Sequence, residues 1–210
     1  MDTAAPGWFA PRGRPGVPQR RRLCRSAPSE FPVLATAHLR LRALEDADIL
    51  DFRTLVAAHP ASGGTIGVPQ PPGAGFADQW MEFRNATWGH PRALHWAVCE
   101  LSNDRLLGYT GLHHIESKNR QAELSFWIGG KERRSYALEA AQAALAFAFA
   151  TLQLHRVCAF HLASNLCAGL TLTRIGMRPE GVLRQRVCRS QQFEDVIASA
   201  ILSQDWLQSL

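Results

Sequence analysis

Residues 121 to 151, QAELSFWIGGKERRSYALEAAQAALAFAFAT, constrain the fold more than any other stretch. Ala122, Leu124, Phe126 and Ile128 alternate with Glu123, Ser125 and Trp127, the period of two that marks a strand with one buried face. Gly129-Gly130 ends the strand. Lys131, Glu132, Arg133, Arg134 and Ser135 follow. Roughly fifteen residues rich in Ala and Leu come next, and these are strong helix formers. A helix start carries unpaired N–H groups and a partial positive charge. With Arg133 and Arg134 at that start, the turn suits a phosphate or pyrophosphate. A solvated basic turn on a surface helix fits the same residues.

The flanking sequence supplies more strands. His38 to Leu44 alternates, with Leu39 and Leu41 opposed to Arg40 and Arg42. Asp46 reads as the N-cap of a helix carrying Ile49, Phe52, Leu55 and Val56 on one face and ended by Pro60. Residues 60 to 75, rich in Pro and Gly, read as a long loop, either a lid or a solvated connector. Phe76 to Phe83 reads as a second helix, and Trp88 as a core residue or a pocket wall. A meander follows: Leu94 to Glu100, a turn at Ser102-Asn103-Asp104, Leu107 to Ile115, a turn at Ser117-Lys118-Asn119, and the strand 121 to 128. Beyond the long helix come a strand from His155 to Phe160 and a short helix from about Cys167 to Ile175. Gly176 stands where a left-handed C-terminal cap belongs. Val182 to Cys188 and Phe193 to Leu202 form a closing hairpin.

At 210 residues the chain suits one domain with a tail. Residues 1 to 34 are rich in Pro, Gly and Arg, and read as a disordered extension outside a domain of residues 35 to 210. Six Arg against Asp2 and Glu30 place +4 of the net +5 in the first thirty residues. The nearly neutral remainder argues against a nucleic-acid-binding domain, and the basic tail offers only weak phosphate contacts to RNA. No apolar stretch reaches the length of a transmembrane helix. Five scattered Cys without CxxC spacing fit a reducing, cytoplasmic setting and neither a disulfide framework nor a zinc site. His113 and His114 are neighbours on a strand, so a regular pleat points them to opposite faces and rules them out as joint ligands. No metal is expected.

The run AELSFWIGG…RRSYALEA resembles the cofactor-binding segment of the GNAT N-acetyltransferase superfamily. More narrowly it resembles the RimJ/RimL-like branch, which acetylates protein N-termini and small amines. The resemblance continues through LHRV (154 to 157), Asn165, Ile175-Gly176-Met177 and Pro179-Glu180-Gly181-Val182-Leu183-Arg184, and covers about residues 36 to 207. It implies an α/β (α+β) fold with a mixed, mostly antiparallel central sheet. The middle strands splay, and helices flank the sheet. It implies acetyl-CoA as cosubstrate and a primary amine as acceptor, either a protein N-terminus or a small molecule. Paired subunits are common in the branch.

The resemblance also implies a site. The pyrophosphate would rest on the backbone N–H groups of Arg133, Arg134, Ser135, Tyr136 and Ala137. The pantetheine arm would lie between the splayed strands and bond the amides of Trp127 and Ile128. One of those amides would also face the thioester oxygen as it gains charge. Asn165 matches a cofactor-contacting Asn. Glu123, on the polar face of its strand, is the expected proton acceptor, with a salt bridge to Arg120 or another strand residue as its purely structural role.

Three departures stand against the family pattern. The loop consensus Arg/Gln-x-x-Gly-x-Gly/Ala reads Glu132-Arg133-Arg134-Ser135-Tyr136-Ala137, so only Ala137 matches. Ser135 carries a penalty if its position needs positive φ. Ala168 stands where the family has a Ser assigned to protonating the thiolate, and Met177 replaces a Phe. The Met177 swap is mild, since Met fills an apolar site well; the altered loop and Ala168 favour a rival reading, a GNAT-fold module that binds acyl-CoA or a protein partner without turnover.

Overall fold

The computed structural model describes residues 31–58, 92–130, 133–189 and 191–208. The expected lid loop, the helix of 76 to 83, Trp88, Lys131-Glu132 and the first thirty residues lie outside this range. The described elements are β1 (Leu34–Ala35), β2 (Leu39–Ala43), α1 (Asp48–Ala58), β3 (Leu94–Glu100), β4 (Leu106–Glu116) and β5 (Gln121–Ile128). They continue with α2 (Arg133–Ala146), a π-helical turn (Phe147–Thr151), β6 (Arg156–Leu162), α3 (Leu166–Arg174), β7 (Arg178–Arg189), β8 (Gln192–Leu202) and α4 (Ser203–Leu207).

The eight strands form one sheet in the order β1-β2-β3-β4-β5-β6-β8-β7. All neighbours are antiparallel except β5 and β6. That parallel step needs a crossover, and α2 with its π-helical turn supplies it. β5 and β6 pair only at Gln121↔Arg156, Ala122↔Val157 and Glu123↔Cys158. Past that point β5 continues against β4 through Ile128, and β6 continues against β8 through Leu162. The two strands leave each other, and a wedge opens in the middle of the sheet. This is the splayed, mixed sheet of the GNAT fold.

Both faces of the sheet carry a core. On one face α2 and its π-helical turn lay down Ala137, Ala140, Ala141, Ala144 and Ala148, a stripe at helical spacing. These small side chains let the helix lie close over Leu39, Leu41, Trp96, Val98, Leu112 and Leu124. Burying each Leu contributes roughly 1.5–3 kcal/mol. On the other face α1 brings Phe52 against Tyr109 and Trp127. Trp127, which the alternation assigns to the polar face, is 3% exposed. Its indole meets the Phe52 ring edge-on at 5.4 Å.

Polar contacts fix the helices to the strands. Arg42 on β2 donates twice to Asp48 at the start of α1, Nη1 to Oδ2 and Nη2 to Oδ1, both at 2.8 Å. Asp48 Oδ2 also accepts the Glu45 N–H at 2.8 Å. Glu139 in α2 accepts the His38 backbone N–H at 2.8 Å. At the end of α3, Gly176 has φ +88°. Its N–H donates to Thr173 O, and that of Met177 to Leu172 O, which is the Schellman closure expected of a left-handed glycine. Two stretches that carry the family resemblance meet as one ion pair. Arg156 of LHRV donates Nη1 to Glu180 of the PEGVLR run at 2.6 Å.

Gly108 sets the spacing of β4 and β5 beside the wedge. A Cβ there would fall 2.0 Å from the Trp127 carbonyl oxygen and 2.9 Å from Ile128 Cα. Both are backbone atoms and cannot swing aside. Gly108→Ala is expected to destabilise the fold by at least about 2 kcal/mol. Gly181→Ala, with nothing within 4 Å of its added methyl, is expected to stay within about 0.5 kcal/mol of the parent. Urea unfolding of both variants checks the contrast.

Candidate active site

The wedge between β5 and β6 presents a free strand edge, and the ladder with β4 decides which amides line it. Gly129 N–H donates to Leu107 O at 2.9 Å, so the β5 amides at odd positions turn toward β4 and those at even positions turn away. Trp127 therefore faces β4, consistent with its carbonyl crowding Gly108. The amides directed into the wedge are those of Phe126 and Ile128. This corrects the expected pair of Trp127 and Ile128, because adjacent residues of a strand cannot both donate to one side. Of the expected pair only Ile128 turns its amide into the wedge, and Trp127 contributes its ring to the core.

The mouth of the wedge lies between two helix starts. α2 begins at Arg133, and the amides of its first turn point out of its end. Arg134 and Ser135 are exposed there. Tyr136 and Ala137 lie a turn further in, where helical amides have intrahelical acceptors. Ala137 is buried, and the Tyr136 ring lies 6.2 Å from that of His38. Of the five amides expected to form a cradle, those of Arg133, Arg134 and Ser135 lie in the first turn. Ser135 sits inside α2 and is not among the residues with positive φ, so the feared cost of replacing a glycine does not arise.

Asn165 caps α3, its Oδ1 accepting the Ala168 N–H at 3.1 Å. Cys167 stands in the first turn of α3. Its Sγ lies 3.8 Å from Arg134 Nη2, so the two helix starts converge on the mouth.

Glu123 occupies the last position at which β5 and β6 still pair. Its carboxylate is held by histidines and not by Arg120, whose guanidinium donates to the Gln153 carbonyl. His114 Nδ1 lies 3.1 Å from Glu123 Oε2, and His113 Nε2 lies 3.8 Å from Oε1. The expectation that His113 and His114 diverge is wrong. β4 slips register between His113↔Glu123 and Glu116↔Gln121. The extra residue makes a bulge in which His114 takes φ +51° and swings to the side of His113. The two rings lie 5.1 Å apart.

A polar strip extends from this cluster across the face that also carries α1. The His95 ring lies 6.0 Å from that of His113, in space left by Gly111, where a Cβ would come 2.5 Å from His95 Nδ1. His113 Nε2, Ser125 Oγ and Trp127 Nε1 are buried without a hydrogen-bond partner among the described residues. Buried polar atoms normally find partners, so this strip is suited to receive a polar group. Sequence reasoning missed the histidines, although a signal existed. A hairpin folded symmetrically about the turn at Lys118 already sets His113 opposite Glu123.

A family model described as the GNAT acetyltransferase domain matches residues 38–178. The chain belongs to the GNAT acetyltransferase family. This GNAT chain is 27% identical over 158 residues to the uncharacterized N-acetyltransferase YoaA of Bacillus subtilis, covering 74% of this chain and 88% of that one. It is 27% identical over 107 residues to YdaF of the same organism, whose assignment as a ribosomal N-acetyltransferase is provisional. That match covers 50% of this chain and 58% of YdaF. Among solved structures, the spermidine N-acetyltransferase of Vibrio cholerae in complex with CoA and spermine superposes with a TM-score of 0.70 at 22% identity. The superposition covers 81% of this chain and 99% of that one. At that identity the likeness shows the GNAT fold alone.

The buried histidines give the stability of the fold a pH signature. Burial, with help from His113, pushes His95 down to about 3, and burial lowers His113 as well. An unfolded His95 would titrate near 6.5, so below that pH the unfolded chain binds a proton that the folded chain refuses. Stability is full above about pH 6.5 and falls as the pH drops toward 3. His95 contributes at most about 1.4 kcal/mol per pH unit to that slope. Urea unfolding between pH 7 and 5 should show a shallower loss in His95→Gln than in the parent.

Proposed function

We propose that this chain is an N-acetyltransferase of the RimJ/RimL-like kind. It would move an acetyl group from acetyl-CoA to a primary amine by direct transfer. The observation that carries the reading is the position of Glu123. Its carboxylate stands at the apex of the wedge, at the last pair before a free strand edge opens toward two helix starts. The residues fit the cosubstrate that the family uses. The first turn of α2 with Arg134 suits the pyrophosphate, with Asn165 and the start of α3 beside it. The Phe126 and Ile128 amides suit an extended arm that adds to the sheet edge as a strand would.

In this mechanism Glu123 takes the proton of the acceptor amine, directly or through one water. The amine nitrogen then bonds the thioester carbon, and the carbon–sulfur bond breaks. The wedge-facing amide of Phe126 or Ile128 donates to the carbonyl oxygen as it gains charge. The departing thiolate takes a proton from solvent or from the cluster, since Ala168 carries no hydroxyl. His113 and His114 hold Glu123 in place. The 79% exposed His114 side chain links it to bulk water, so the collected proton has a route out. Transfer of this kind relies on proximity and backbone donors, and it uses no metal. No helix among the described residues is long and apolar enough to cross a membrane, in keeping with a cytoplasmic enzyme.

The acceptor is a protein N-terminal residue or a small amine. Its polar end would meet the strip of His95, His113 and Ser125. Glu123→Gln is expected to lower kcat by about a hundredfold or more and to leave acetyl-CoA affinity within about twofold. Thiol release in an amine screen and calorimetric titration of acetyl-CoA measure the two. Full turnover in the variant removes Glu123 from the mechanism. Failure of the parent chain to bind acetyl-CoA favours the non-catalytic module.

A further inference from the structure

We propose that His113, His114 and Glu123 form a binding site for one divalent transition-metal ion of the zinc class, and that the ion and acetyl transfer exclude each other. The three residues each offer one ligand atom, and these atoms all lie within 4.8 Å of one another. Around an ion with bonds of about 2.0–2.1 Å, tetrahedral donors sit roughly 3.4 Å apart, so the set needs to close by about an ångström. His114 Nδ1 and Glu123 Oε2, at 3.1 Å, are already that near. Closure falls to His113, whose Nε2 is buried with no hydrogen-bond partner among the described residues.

The bulge is what builds the set. On a regular strand His114 would face the other side of the sheet from Glu123. The extra residue and the left-handed backbone at His114 (φ +51°) bring it round, a conformation that persists in a non-glycine residue only where the surroundings determine it. Two imidazoles and a single carboxylate suit a zinc-class ion. They do not suit Mg²⁺ or Ca²⁺, which want several oxygens. The exposed His114 gives an ion entry from solvent and leaves a coordination position for water. Cys158, the strand partner of Glu123, is not one of the three; its Sγ lies 3.5 Å from the Ala122 carbonyl oxygen.

A bound ion occupies the Glu123 carboxylate, which then cannot accept the amine proton. That consequence rests on the role proposed for Glu123 above, whereas binding itself does not.

The test titrates Co²⁺ into the full chain and follows its visible absorption. One equivalent is expected to bind, giving ligand-field bands without a thiolate-to-cobalt charge-transfer band. His114→Ala and Glu123→Gln are each expected to weaken binding by at least about tenfold, with unchanged circular dichroism. No uptake at millimolar Co²⁺, a thiolate band, or equal affinity in parent and variants overturns the site. In a parallel arm, Zn²⁺ is expected to abolish turnover and a chelator to restore it. Binding at these residues with turnover untouched overturns the exclusion and the base role of Glu123, and leaves the site standing.

Discussion

Three residue pairs hold the two halves of this sheet together. β1 to β5 form one antiparallel half, and β6, β8 and β7 form the other. Between them run only Gln121↔Arg156, Ala122↔Val157 and Glu123↔Cys158. Each half is satisfied internally, since β5 is fully bonded to β4 and β6 to β8. Neither strand must complete its outer edge against the other. The wedge that results exposes backbone donors which a sheet would otherwise use up. The site therefore does not need a special side chain at every position.

The rest of the structure maintains that opening. The alanine stripe of α2 lets the crossover helix lie close to the sheet, so its N-terminus lands at the mouth. Gly108 lets β4 and β5 approach closely enough to keep the ladder regular up to Ile128. The Schellman closure at Gly176 and the Asn165 cap fix α3, whose start meets that of α2 through Arg134 and Cys167. At the apex Glu123 is restrained by two histidines. A carboxylate so placed borders the wedge on one side and a polar strip on the other, where a cosubstrate and an acceptor would meet.

Much of this was legible in the sequence. The period of two in residues 121 to 128, and the turn that follows residues 94 to 100, gave strands with those very bounds, and Gly176 declared its cap. Family motifs told of the splay, which no periodicity could show, because it is a missing contact between strands distant in the chain. Three things were hidden for local reasons. Alternation alone does not say that both faces are covered, so it places Trp127 on the polar side. A list of strand residues does not say which amides the ladder consumes, so it does not separate Phe126 from Trp127. A bulge breaks the period of two, so a regular pleat sets His113 and His114 apart when they share a carboxylate.

The central claim is that the free edge of β5 receives the cosubstrate through its main chain. Amide hydrogen exchange followed by NMR, with and without acetyl-CoA, addresses it residue by residue. Phe126 and Ile128 should exchange readily in the free protein and become protected when acetyl-CoA is added. Trp127, already bonded to β4, should be protected in both states. Protection that leaves Phe126 and Ile128 unchanged, while acetyl-CoA demonstrably binds, would contradict the account.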